Sequence, residues 1–172
     1  ATMGACAKAA RWHRWPIALA LLARLPSLAV RPDTVTLNPA ITACARAGFW
    51  RAALGCLGAL LASGLRPSTI SCSAAISACE GGGRWAEALA VFAAMDRVAL
   101  EPDRICWNSV MSACAKVGRW EMAWSLLRDM GRACLAGNAM SWSSVANACE
   151  KASQWERCLS VLSYASAAGA AP

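Results

Sequence analysis

This sequence has one histidine, one tyrosine and two phenylalanines in 172 residues. His13 is the lone imidazole, and no two of the ten cysteines form a C-x-x-C pair, so the ligand spacing of a zinc site is missing. The H-x-E and C-x-x-C combination that a zinc deaminase needs is missing too. Only ten Asp and Glu residues occur, and they form no cluster that would hold catalytic metals. No catalytic constellation emerges; the sequence predicts a protein that is not an enzyme and has no cofactor and no small-molecule substrate. Strand-favouring runs are scarce, which suits packed helices better than sheets. No stretch is long and apolar enough to span a membrane. Residues 17–30 come nearest, but contain Arg24 and Pro26, and with Arg11 and Arg14 upstream they imitate a signal peptide. The repeat described next accounts for them better, as the second helix of a first copy.

Alanine, leucine, tryptophan and cysteine are plentiful, and they recur in register. Trp107 to Met130 reads WNSVMSACAKVGRWEMAWSLLRDM, and related text runs from Asn38 to Leu61, from Ser73 to Met95 and from Ser143 to Leu162. Trp50, Trp85, Trp120 and Trp155 are each 35 residues apart, as are Cys44, Cys79, Cys114 and Cys149. A strict period of this length marks a solenoid whose contacts run mainly between neighbours. The copies are 34–68, 69–103, 104–138 and 139–172, the last one residue short, preceded by a partial copy at 1–33. In that partial copy Cys6 and Trp15 stand three residues further apart than their equivalents, an insertion around Arg11 to Arg14. The chain opens inside one copy and ends near the close of another, as a piece or short version of a longer array would.

Each copy folds on paper into two short amphipathic helices. The first buries Ile41 and Cys44, or Met111 and Cys114, on one face. Gly48, Gly83 and Gly118 stand where it must stop, in the left-handed conformation that glycine favours; Ser153 takes that place in the last copy and predicts a poorer turn. The second helix starts near the tryptophan and buries Trp50, Ala53, Leu54 and Leu57, or Trp120, Ala123, Trp124 and Leu127. The four tryptophans are therefore expected at matching buried places between layers. Small residues recur at Ala18, Ala53, Ala88, Ala123 and Cys158, as close helix approach requires, and Pro67 and Pro102 break the chain before the next copy. Cys6, Cys44, Cys79, Cys114 and Cys149 share one position; stacked equivalents lie roughly 8–10 Å apart, beyond the ~7 Å that a disulfide bridges. They read as small buried residues in a reducing compartment.

The period of 35, the pattern N-S-V-M-S-A-C-A-K-V-G-R-W-E-M-A-W-S-L-L-R-D-M and the closing Glu101-Pro102-Asp103 resemble the pentatricopeptide repeat family over essentially the whole chain. Tetratricopeptide repeats, the nearest rival, have a period of 34 and a first-helix tyrosine; here Tyr164 stands alone near the end. The resemblance implies an all-α, right-handed α-solenoid of antiparallel helix pairs. It also implies sequence-specific binding of single-stranded RNA, one base per repeat, in a chloroplast or mitochondrion, alongside other RNA-processing proteins. A protein-binding helical scaffold using the same groove is the alternative.

In this family two residues of each copy, the fifth and the last, read the base. They pair Asn38 with Ser68, Ser73 with Asp103, and Asn108 with Asn138, while Ser143 and Asp33 lack their partners. An ionised Asp only accepts hydrogen bonds, which suits the ring N–H of G or U, and Asn offers both donor and acceptor. The family's preferences then imply 5′-pyrimidine-G-C-purine-3′. Pro39 directly follows Asn38 and is expected to delay that helix and turn Asn38 aside. The second residues, Val35, Ile70, Ile105 and Met140, are apolar at an exposed helix start; in relatives such residues wedge between bases, and a hydrophobic staple onto their own helix is the other reading. Lys8, Arg46, Lys116 and Lys151 recur near the ends of the first helices, interrupted by Gly81. With a net charge of +7 they read as a phosphate track, or as cations that complement the helix dipole. The Gly81-Gly82-Gly83 run should loosen its copy.

Overall fold

The computed structural model describes residues 34–167. It contains α1 (Thr34–Arg46), α2 (Trp50–Ala62), α3 (Thr69–Gly81), α4 (Trp85–Arg97), α5 (Arg104–Lys116), α6 (Trp120–Arg132), α7 (Ala139–Lys151) and α8 (Trp155–Ala167). Every helix is 13 residues long. No strand occurs among the described residues, and the helices stack as antiparallel pairs into an α-solenoid. The partial first copy, with Lys8, Trp15, Ala18 and Asp33, lies outside the described residues.

The odd-numbered first helices touch one another in sequence, α1 to α3 to α5 to α7. The second helices pack against their own first helix and against the first helix of the next copy. First helices are therefore the more closely spaced layer, which puts them on the inner side of the curve. That close approach rests on side chains with little bulk: Ala75, Ala78, Ala113, Ala148, Cys79, Cys114 and Cys149 are fully buried, as are Ala53, Ala88 and Ala123 of the second helices. Burial holds the Cys79 and Cys114 thiols up at about 11, so they stay protonated and apolar at neutral pH.

All seven turns use the same closure. At the end of α1, Gly48 N–H donates to Ala45 O and Phe49 N–H to Cys44 O, the paired 5→2 and 6→1 bonds of a Schellman motif. After each first helix the repeated cysteine supplies the carbonyl for the 6→1 bond, with Arg84 bonding Cys79, Arg119 bonding Cys114 and Gln154 bonding Cys149; after the second helices Leu60, Met95 and Met130 supply it. The residue at the left-handed corner is Gly48, Gly83, Gly118 or Ser153, at φ +76°, +67°, +73° and +56°. Ser153 thus makes the glycine turn, with a side chain in a region that glycine enters more cheaply. The glycine run at 81–83 leaves α3 at full length and its turn in the same form as the others.

Two expectations are corrected here. Pro39 does not delay α1, which starts at Thr34 and runs through the proline. The tryptophans are not wholly buried: Trp50, Trp85 and Trp120 are half-buried, and Trp155 is 66% exposed. They stand at the first residue of each second helix, at the edge of the layer, where the next copy supplies much of their cover. A Cβ on Gly82 would lie 2.5 Å from the Trp50 ring. Arg84 lies over Trp50 at 4.6 Å, Arg119 over Trp85 at 4.8 Å and Arg157 over Trp120 at 4.0 Å. Where no copy follows among the described residues, the indole is bare.

Ser153→Gly should raise the unfolding free energy by about 1 kcal/mol, the scale of a left-handed side-chain penalty, as read by urea denaturation; no change would mean that Ser153 sits there without strain. Trp120→Ala should cost about 2 kcal/mol, less than the ~3–5 kcal/mol of a fully buried aromatic. Trp155→Ala, measured the same way, should cost well under half as much.

Candidate nucleic-acid interface

The polar residues singled out by the repeat fall along the edge where the first helices begin. Ser68, Asp103 and Asn138, the last residues of their copies, are the N-caps of α3, α5 and α7. Their side chains accept from the backbone N–H of Ser71, Cys106 and Ser141. An N-cap has extended backbone and a short polar side chain, and the prolines at 67 and 102 enforce the extended approach one residue earlier. A capping side chain stays at the rim of the helix, half-buried, with its outer atoms towards solvent.

In two copies the fifth residue meets the last residue of its own copy at this rim, although thirty positions separate them. The meeting point is the third residue of the following copy. Ser141 Oγ lies 2.7 Å from Asn108 Oδ1 and 2.9 Å from Asn138 Oδ1. Ser71 Oγ lies 2.5 Å from Asn38 Oδ1 and 2.8 Å from Ser68 Oγ. Asn38 is therefore not turned aside by Pro39: Ser71 holds it as Ser141 holds Asn108. Ser73 and Ser143 behave differently, each donating to a carbonyl of its own helix, Ile70 O at 3.1 Å and Met140 O at 3.0 Å. Asp103 accepts from Cys106 N at 2.8 Å; burial, with the nearby carboxylate second, pushes the Cys106 thiol up to about 12.

The second residues stand beside these pairs. Ile70, Ile105 and Met140 are 69%, 60% and 63% exposed. Side chains so open to solvent make no hydrophobic staple of consequence, and they form an apolar row at the repeat spacing. Val35 holds the same place in α1.

The basic row lies at the opposite ends of the first helices. Lys116 Nζ reaches back to α3, donating to Glu80 O at 2.9 Å and pairing with Glu80 Oε1 at 3.3 Å. Lys151 Nζ reaches Lys116 O at 3.3 Å in the same manner. Each lysine so meets the negative end of the preceding helix and remains exposed. Arg46 is exposed in the last turn of α1. The sequence reading passed over two features: the arginines stacked on the preceding copy's indole, and the buried serines between the reading residues. Arg84 and Arg119 precede Trp85 and Trp120 at the repeat period, a signal for the first; Ser71 and Ser141 share the third position, a signal for the second.

Among the described residues no group of His, Cys, Asp and Glu could hold a metal ion, and no helix is long and apolar enough to cross a membrane.

Family models match the sequence in three stretches: the PPR repeat family at 102–151, a pentatricopeptide repeat domain at 60–117 and a PPR repeat at 35–65. Comparison with curated proteins gives no significant match. Among solved structures, the pentatricopeptide repeat protein PPR10 from maize is 26% identical with a TM-score of 0.71, over 99% of this chain and 24% of that one. PPR10 in complex with an 18-nt psaJ RNA element is 19% identical with a TM-score of 0.69, over 88% of this chain and 22% of that one. The PPR domain of Arabidopsis thaliana protein-only RNase P 1, in complex with tRNA, is 10% identical with a TM-score of 0.80, over 95% of this chain and 84% of that domain. The chain thus spans about a quarter of the length of PPR10. The matched stretches, the 35-residue helix pairs and the shared fold together establish that this chain belongs to the pentatricopeptide repeat family.

Proposed function

We propose that this chain binds single-stranded RNA along its first-helix side, reading one base per copy, and that it acts on RNA in a chloroplast or mitochondrion. The observation that carries this reading is the convergence of the fifth and last residues. Two polar side chains distant in sequence are brought to one rim by a hydrogen-bonded serine, and the arrangement occurs twice, two repeats apart. A peptide groove has no need of such a polar pair at fixed intervals. Family members solved with RNA and with tRNA support the same assignment.

Asn38 with Ser68, Ser73 with Asp103, Asn108 with Asn138, and Ser143 are the base-reading groups. Asp103 gives one carboxylate oxygen to the Cys106 N–H and keeps acceptor capacity for a ring N–H, which suits guanine beside the small Ser73. Val35, Ile70, Ile105 and Met140 supply apolar surface on which successive bases stack. Arg46, Lys116 and Lys151, with Lys8, supply the cations for the backbone. The site read in this way is 5′-pyrimidine-G-C-purine-3′.

Binding to a randomised RNA pool should enrich that order of letters; a pool that comes back unselected would overturn the assignment. Each lysine that neutralises a phosphate should contribute about −0.7 to the slope of log K against log salt. Lys116→Ala should therefore flatten the slope by ~0.7 and weaken all sequences alike. An unchanged slope would leave Lys116 as a helix-end contact to Glu80 only. Asn108→Ser shortens the reader and admits a two-ring base, so the third letter should move from C towards A while the neighbouring G is kept. The swing should be roughly tenfold, within the range of one specific base contact.

A further inference from the structure

We infer that Ser71 and Ser141, the buried third residues of two copies, are positioning residues that fix which end of the Asn38 and Asn108 amides faces the RNA. This rests on the RNA-reading proposal and adds to it a residue from the following copy. Both serines are completely buried, so their hydroxyl protons have no water to serve and must go to a neighbour.

Proton bookkeeping settles the direction. Ser71 N–H donates to Ser68 Oγ at 3.2 Å, and because the Ser71 hydroxyl proton goes to Asn38 Oδ1, Ser68 is the donor in the 2.8 Å contact with Ser71 Oγ. Ser71 Oγ, now an acceptor once, donates to Asn38 Oδ1. At the later boundary Asn138 Oδ1 is already satisfied by Ser141 N–H at 3.0 Å, and Asn138 N–H donates to Ser141 Oγ at 3.3 Å. Ser141 Oγ has two oxygens in reach, Asn138 Oδ1 at 2.9 Å and Asn108 Oδ1 at 2.7 Å, and we assign its one proton to Asn108 Oδ1, the shorter contact. An asparagine amide bound through its oxygen turns its NH2 the other way. Both fifth-position asparagines so present donors to the rim, and the base they meet must offer an acceptor, such as the O2 shared by cytosine and uracil. With the amide free to flip, Asn would offer either end and discriminate far less.

The third boundary is the internal contrast. Its fifth residue is Ser73, its third residue in the next copy is Cys106, and Ser73 turns instead to Ile70 O. A thiol is a weak donor, and here there is no amide to orient. Within this chain, then, Asn at the fifth place goes with Ser at the third place of the following copy, and Ser goes with Cys.

Ser141→Cys is the informative variant, because Cys106 shows that the site accepts a sulfur at full burial. In RNA-free protein the Asn108 side-chain NH2 should be ordered on the nanosecond scale by 15N relaxation in the wild type and mobile in Ser141→Cys. In pool selections Ser141→Cys should reduce the pyrimidine preference at the third letter by roughly tenfold, the scale of one buried hydrogen bond, and leave the G at the second letter. The reverse transplant is Ser73→Asn alone against Ser73→Asn with Cys106→Ser: the double variant should select a pyrimidine at the second letter, and the single variant should select it roughly tenfold less strongly. An equally ordered Asn108 amide in Ser141→Cys, or identical letters from the single and double variants, overturns the inference. A wild-type chain that selects no letters while the Asn108 amide still loosens in Ser141→Cys would overturn RNA reading and leave the serine's hold on the amide intact.

Discussion

The closure of each helix by a 6→1 hydrogen bond into a preceding carbonyl is the constraint on which the rest of this solenoid depends. It turns the chain through a left-handed corner with no side-chain help, which is why Phe49, Arg84 and Arg119 at the starts of the second helices make no capping hydrogen bond. The identical corner fixes the tryptophan as first residue of the second helix and the lysine in the last turn of the first. A helix of 13 residues is marginal on its own in water, so this corner matters less for the helix than for the angle at which the next one docks. The cysteine whose carbonyl closes the turn is also the small side chain that lets first helices approach, and a larger residue there would hold them apart.

Stability in such an array is close to a sum of copies and of the contacts between neighbours. The tryptophans show this term by term. Trp50, Trp85 and Trp120 each lie under an arginine of the following copy, and Trp155, with no arginine over it among the described residues, is exposed. The third of these covers is supplied by Arg157 because Gln154 occupies the place of Arg84 and Arg119. Position in the repeat is thus less strict than the physical requirement, a guanidinium over an indole face.

The period, the helix pairs, the glycine corners and the small buried stripe could be read from the sequence, because each depends on spacing along one chain. What could not be read depended on groups meeting across copies. Periodicity gives the tryptophans an apolar role but cannot say that they lie at the rim. The proline after Asn38 suggested a delayed helix on local rules, and the structure carries the helix through it with Ser71 holding the asparagine from the next copy. Ser71 and Ser141 share a place in the repeat, but their burial and their short bonds to Asn38 and Asn108 exist only once two copies are stacked. The residues placed at the candidate interface were legible as a pattern, and their wiring was not.

Lysines bridge neighbouring copies along one border of the array. Lys116 holds the end of α3 and Lys151 the end of α5 through long, exposed side chains, and the arginines over the indoles lie along the same edge. At the other edge the copies are joined by short buried hydroxyls and caps, which do not stretch. The two borders are therefore held by different physics, exposed charge on one and buried hydrogen bonds on the other. Ions that screen the ammonium groups weaken the contacts of the lysine border, and the buried hydroxyls at the reading edge lie beyond their reach.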